Sequence, residues 1–325
     1  MQNIRKKFKY LINEFTVIPI TLVLIIFAAI FVPHFFSATN LRNILGQLSD
    51  VLIISAGMML VVLNGGIDFS MASVMGLGSV IGAMVMNQTD GLLAGSPWAT
   101  PVGILIMVAI GTCIGVINGC AVAYLKMPSF MATMATQLVV RGLTLYIVDS
   151  KAIGNLPSAF LFIGNGKFGF LPFSIILSIV VLAIIWILLN KSVYGKQIYA
   201  IGTNHKAAKI SGIPIKKRVF SLFVLCGTLA GIGGLISTSR LGAAMPDLNQ
   251  DRLMDFVTAV IIGGTSVFGG KGKLICTIIG GLFIVILNNT LGLLGLTWFT
   301  ILMIKGIFLM GILIFEAYTR SRSTK

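Results

Sequence analysis

KSVYGKQIYAIGTNHKAAKISGIPIKKR, residues Lys191 to Arg218, is the longest polar segment of a chain that is otherwise almost all hydrocarbon. It carries seven of the chain's 24 Lys and Arg residues and no acidic residue. Apolar runs of about twenty residues, the length that crosses a bilayer, flank it on both sides. One sizeable basic loop in such a chain stays on the cytoplasmic side, where a soluble partner can reach it.

Composition agrees with that frame. Of the residues, 57% are hydrophobic and only 10% charged, with a mean hydropathy of +1.01, whereas a soluble domain carries about a quarter charged residues. The expected fold is therefore all-α, a polytopic transmembrane helical bundle with Gly, Ala, Ser and Thr at its helix contacts. The chain reads as one permease-sized domain, 1–325: a cytoplasmic N-terminus 1–16, a bundle 17–316 interrupted by the loop 191–218, and a cytoplasmic tail 317–325. About ten spans are expected, at 17–36, 47–64, 69–87, 101–125, 130–149, 171–190, 219–240, 254–270, 274–292 and 297–316.

Charge supports this layout. The N-terminus, Lys126, the long loop, Lys271, Lys273 and the tail would place 17 Lys and Arg inside. Five would lie outside (Arg42, Lys151, Lys167, Arg240 and Arg252), and Arg141 and Lys305 fall within spans. The net charge of +15 is then a matter of membrane orientation, with no nucleic acid implied. Residues 1–16 read as a retained anchor, with no secretory cleavage pattern. Cys113, Cys120, Cys226 and Cys276 lie in apolar runs and read as packing residues. No interspan segment is long enough for a folded soluble domain, so any ATPase or binding module is another chain.

Several polar groups are candidates for a substrate path. NGGIDFS, Asn64 to Ser70, places two glycines and Asp68 between the second and third spans with no Lys or Arg nearby. It reads either as a broken helix whose backbone and Asp68 face the path, or as a tight turn with Asp68 capping the third span. Gln137 and Arg141 share a helical face beside Thr136. Lys305 sits in WFTILMIKGIFLM, where a charge costs at least about 2.5–3.5 kcal/mol, so it needs a partner: Asp68 or exposed carbonyls. Both charges suit a structural clamp or a substrate contact. Asn43, Gln47, Asn288 and Asn289 offer carboxamides, which suit a neutral polyhydroxylated ligand and equally suit interhelical hydrogen bonds.

Catalysis and metal binding find no support. His34 and His205 fall on opposite sides of the membrane, and there is no GxSxG, Walker or Cys/His ligand spacing. GGKGK at 269–273 reads as a cytoplasmic turn. The likeness of VLNGGIDFS to VIIGGTSVF reads as shared packing composition rather than an inverted repeat.

Within the opening loop, Asn204 is a plausible N-cap, Ala207 and Ala208 are strong helix formers, and Gly212 with Pro214 is a stop. That spacing predicts a helix of roughly two turns. Docking into a partner fits it better than lying on anionic lipid, because Ile210 and Ile213 offer little apolar area.

VLNGGIDFSMASVMGLGSVIGAM, YGKQIYAIGTNHKAAKISGI and VIIGGTSVFGGKGK, in order and suitably spaced, together resemble the ribose/xylose-type monosaccharide permeases of bacterial ABC importers. The resemblance implies a ten-helix subunit with a vitamin-B12-importer-like (type II) fold in the cytoplasmic (inner) membrane, paired as a homodimer or with a second permease. It implies a cytoplasmic ATPase with two fused nucleotide-binding halves, which would hold ATP–Mg, and an extracytoplasmic sugar-binding protein. No cofactor is implied in this chain. It places the coupling helix on Gly202, Asn204, Ala207, Ala208, Ser211 and Gly212, with Lys206 where an acidic residue is common. Outer loops 88–100, 150–170 and 241–253 would meet the binding protein, with Arg240 and Arg252 facing its acidic rim. The rivals are the same architecture importing a nucleoside or furanose signalling molecule, and an ion-coupled transporter using Asp68, Arg141 and Lys305.

Overall fold

The computed structural model describes residues 17–323, so the basic segment 1–16 lies outside the described residues. One helix falls in each expected interval: α1 (Val17–Phe31), α2 (Ala38–Val62), α3 (Met71–Met86), α4 (Ala99–Ala123) and α5 (Ser129–Ile147) come first. A short helix α6 (Ser158–Asn165) and a two-stranded hairpin, β1 (Lys167–Phe168) and β2 (Leu171–Pro172), precede α7 (Phe173–Lys191). The opening loop holds α8 (Val193–Thr203) and α9 (His205–Ile210). Then come α10 (Ile215–Leu241), a 3-10 turn (Gln250–Arg252), α11 (Leu253–Ile262), α12 (Leu274–Leu293) and α13 (Trp298–Ser323). Six helices, α2, α4, α5, α7, α10 and α12, are long and apolar enough to cross a membrane, and Val17–Phe31, Met71–Met86 and Trp298–Gly311 are shorter apolar helices.

α2 is the axis. Its most apolar stretch is 89% buried inside the protein, against 28% for α4 and 22% for α5, whose apolar residues face outward. A helix apolar on every side belongs in a core. Helices α10, α12, α7 and α11 pack around α2, and Ile53, Ile54, Met58, Met59 and Leu60 of α2 are fully buried.

α4 and α10 approach through bare backbone. Gly111, Gly115 and Gly119 recur every fourth residue on α4, opposite Gly227 and Gly231 of α10. A Cβ at Gly111 would lie 2.3 Å from the Gly227 carbonyl oxygen, and one at Gly115 2.5 Å from that of Phe223. Lipid supplies no hydrophobic drive between helices, so close van der Waals contact across small residues takes its place.

The boundaries shift where local capping outweighs hydropathy. α2 starts well before residue 47 because Ser37 caps it, its side chain accepting the Asn40 N–H at 3.2 Å. α11 stops at Ile262, short of the expected 270, because Gly263 and Gly264 follow and Gly264 turns left-handed at φ +76°. α2 ends similarly at Gly65, φ +75°. The left-handed glycine is the first of its pair in VLNGGIDFS and the second in VIIGGTSVF, so the two share a helix stop and no common register.

The contrast between glycines is testable. Gly111→Ala should destabilise the protein by about 1–3 kcal/mol through overpacking. Gly142→Ala, which meets nothing within 4 Å, should be neutral or add up to about 1 kcal/mol of helix propensity. Thermal melting in detergent reads both, and equal shifts would refute the backbone contact.

Candidate functional site

The most demanding group in the bundle is Asp50, whose side chain on α2 is 0% exposed. Arg252 Nη1 donates to its Oδ2 at 3.0 Å, Arg240 Nη2 at 3.3 Å, and Ser237 Oγ at 2.7 Å. Asn249 completes the cluster, donating from Nδ2 to Ser237 Oγ at 2.9 Å and accepting from Arg252 Nη1 at 3.0 Å. A carboxylate removed from water costs several kcal/mol unless it is paired and hydrogen-bonded, so three chain segments are obliged to converge here. Arg240 and Arg252 were expected to face outward toward a partner. Instead both are largely buried on Asp50, with side chains 21% and 23% exposed.

Beside this cluster opens a cleft of about 450 Å³, into which Asn43 and Gln47 both project. Arg42, Lys167 and Arg240 share its walls with Asn165 of α6, and no carboxylate lines it. Arg42 stacks over the Phe170 ring at 5.3 Å. The Nε atoms of Arg42 and Arg240 are buried and have no hydrogen-bond partner among the described residues.

The other candidates form separate networks. Asp68 accepts the Ser70 N–H at 2.9 Å and its hydroxyl at 2.6 Å, at the start of α3. Ser70 Oγ in turn accepts from Asn118 Nδ2, whose Oδ1 accepts from Thr136, tying α3 to α4 and α5. Ser129 and Thr133 of α5 accept the N–H groups of Ile67 and Phe69. Asp68 therefore closes a tight turn onto Ser70 just before α3, and no side chain caps that helix's first N–H groups. Asn64 lies apart, at a turn where Gly270 N–H reaches the Leu63 carbonyl at 2.8 Å.

Gln137 and Arg141 do share a face of α5, and both reach the segment before α11. Arg141 Nε donates to Asp247 Oδ1 at 2.7 Å and Gln137 Nε2 to Gln250 Oε1 at 3.3 Å. The ion pair is about half exposed, so its energetic worth is small. Lys305 pairs with Asp255, at 2.9 Å to either oxygen, and Asn288 Nδ2 donates to the same carboxylate at 2.9 Å. That corrects the expected partner, Asp68: Asp255 at the start of α11 stands nearer than the turn before α3. Asn289 bonds Asn40 reciprocally at 2.7 and 3.0 Å, the interhelical use of a carboxamide.

The opening loop is built as two capped helices. Ser192 caps α8 and Asn204 caps α9, its Oδ1 accepting the Ala207 N–H at 3.0 Å. Gly212 then turns left-handed at φ +75°. Ala208 is only 3% exposed and faces the body of the protein, while Ala207 is exposed and Ile210 is 89% exposed. Tyr199 and Tyr194 of α8 hold the loop down, through the Gly272 carbonyl at 2.9 Å and the Ser221 hydroxyl at 2.7 Å. Burial pushes both phenols above their ordinary pKa, so they stay protonated as hydrogen-bonding groups.

Residues 40–315 match the family described as branched-chain amino acid transport system / permease component. The chain belongs to this permease family. It is 38% identical to the ribose import permease protein RbsC of Bacillus subtilis, over 89% of this chain and 88% of that one. To the L-arabinose transport system permease protein AraH of Escherichia coli it is 31% identical, over 94% and 91% of the two chains. To the D-allose transport system permease protein AlsC of the same organism it is 32% identical, over 90% and 88%. No solved structure matches the permease.

The Asp50 cluster was missed from sequence, although one signal was present. A carboxylate at the outer end of a span demands a cation, and two arginines had been placed at the same level of the membrane. Asp50→Asn should leave those arginines without their counter-charge and cost the permease about 3 kcal/mol or more, the scale of breaking a buried pair. Arg141→Gln, at a half-exposed pair, should cost under about 1 kcal/mol. Melting temperatures in one detergent compare the two, and an Asp50→Asn protein as stable as the parent would refute the hub.

Proposed function

We propose that this chain is the membrane subunit of an ABC importer that carries a monosaccharide across the bacterial cytoplasmic membrane. The observation that carries the reading is the likeness, over nearly the whole chain, to permeases named for ribose, arabinose and allose. In this reading the chain spans the membrane ten times with both termini in the cytoplasm, and it works as a pair with a second permease copy. It performs no chemistry. A partner ATPase with two fused nucleotide-binding halves holds ATP–Mg and moves the bundles between outward- and inward-open states.

The ATPase contact lies on α9. Asn204 starts the helix, Ser211 and Gly212 end it, and Lys206, Ala207 and Ile210 form the face offered to the partner. Ala208, buried against the body, and Gly202, packed against Leu63, act by placing the helix. The outer cleft suits the binding protein. A neutral sugar has no need of the cations Arg42 and Lys167, whereas an acidic side chain does. Asn43 and Gln47 can hold a carboxylate or a passing hydroxyl in the same place. Ion coupling loses support because Asp68, Arg141 and Lys305 each have an internal partner.

Reconstituted with its ATPase and binding protein, the permease should show ATP hydrolysis stimulated by sugar-loaded binding protein. Uptake that survives ATP depletion and collapses with the proton gradient would overturn the assignment. Ile210→Asp should lower ATPase co-purification about tenfold or more, as loss of a central apolar anchor does, with the permease still folded. Undiminished co-purification would remove α9 as the docking element.

A further inference from the structure

Three backbone segments meet beside the loop that carries α9. The Gly270 N–H donates to the Leu63 carbonyl at the end of α2, at 2.8 Å. Gly202, in the last turn of α8, fits against both: a Cβ there would lie 2.0 Å from the Leu63 oxygen and 2.5 Å from the Gly270 nitrogen. A Cβ at Gly270 would meet Thr203 Cα at 2.7 Å, and one at Gly269 would meet Gly65 N at 2.8 Å. The nearest neighbours of these glycines are backbone atoms, joined at Gly270 by Thr203 Oγ1, which would lie 2.7 Å from an added Cβ. Thr203 is followed at once by Asn204, the cap of α9, and Tyr199 ties the same turn of α8 to the Gly272 carbonyl.

Such a contact is mechanically unusual. Side chains between two elements absorb small displacements by changing rotamer, whereas backbone atoms in contact must move together or separate. The moving piece on the far side is α2, an uninterrupted helix with a nearly fully buried apolar stretch. Leu63 and Asp50 lie about 20 Å apart along it at the helical rise. At Asp50 the helix is bonded to Arg240 of α10 and to Arg252 of the 3-10 turn on the outer side.

We propose that Gly202, Gly269 and Gly270 form, with the Leu63–Gly65 turn, a backbone joint that carries displacement of α9 into α2 and on to the Asp50 cluster. The proposal rests on the reading of α9 as the ATPase-docking helix and names the residues through which that docking acts on the bundle. Gly202 and Gly270 are positioning residues: they touch neither sugar nor nucleotide.

The test uses the full transporter, permease with ATPase and binding protein, in proteoliposomes. Cys113 and Cys120 are replaced by Ala, and a fluorophore is placed on Asp251→Cys, an exposed position beside Arg252. Gly202→Ala should retain the ATPase on co-purification and lower sugar transported per ATP by about 2- to 30-fold, the scale of mutations along a coupling route. It should also blunt the ATP-dependent fluorescence change at position 251. Gly65→Ala is the companion: its added methyl meets the Phe268 carbonyl at 3.4 Å, and the left-handed φ of +75° strains the Leu63–Gly65 turn itself. It should shift both readouts in the same sense, and it stands in if Gly202→Ala does not fold. Gly142→Ala should change neither. A Gly202→Ala or Gly65→Ala transporter that assembles and keeps parental sugar per ATP and parental fluorescence response overturns the joint. Failure of the parent permease to retain an ATPase overturns the functional reading instead.

Discussion

A carboxylate inside a membrane bundle must be neutralised from within, and Asp50 sets that demand at the centre of this permease. Its side chain is fully buried, on a helix whose most apolar stretch is 89% enclosed. Two guanidinium groups come to it, from residues 190 and 202 positions away in sequence. That requirement fixes how α10 and the segment after it lie over α2. Ser237 and Asn249 fill the remaining hydrogen-bonding positions, which a buried ion pair needs if it is to hold one geometry.

The rest of the packing follows a complementary rule. Where a charge does not draw elements together, the absence of a side chain lets them touch, at Gly111 against Gly227 and at Gly202 against Leu63. Polar groups that cannot be spared are closed into local sets. Asp68 is satisfied by Ser70, and Asp255 by Lys305 and Asn288. These sets hold α3 to α4 and α5, and α11 to α12 and α13, so with the Asp50 cluster the bundle has three separate polar ties.

Features governed by neighbours in sequence were legible in it. The helix at Asn204, its stop at Gly212, the turn at Asp68 and the apolar helices all depend on residues within a turn or two of one another. What was not legible depended on distant segments. Lys305 announced that it needed an acid, yet nothing local could choose Asp255 over Asp68. Arg240 and Arg252 read as free outer charges because Asp50 is far away along the chain. The short helix α6 and the hairpin after it were also missed, since eight residues and two are too few to show a period against apolar surroundings.

The distribution of charge constrains how this protein can be driven. An ion-coupled carrier needs a titratable group that changes partners as the path opens, set where the ion can reach it. Here Asp50, Asp68 and Asp255 are each held by two or more donors from the chain itself. Lys305 and Arg252 are spent on them. A bundle so pinned moves more readily as rigid pieces than by exchanging protons, and rigid pieces need a push from outside the membrane. In the proposed reading the opening loop meets that need through the short helix α9, whose base is seated against the backbone at the end of the central helix.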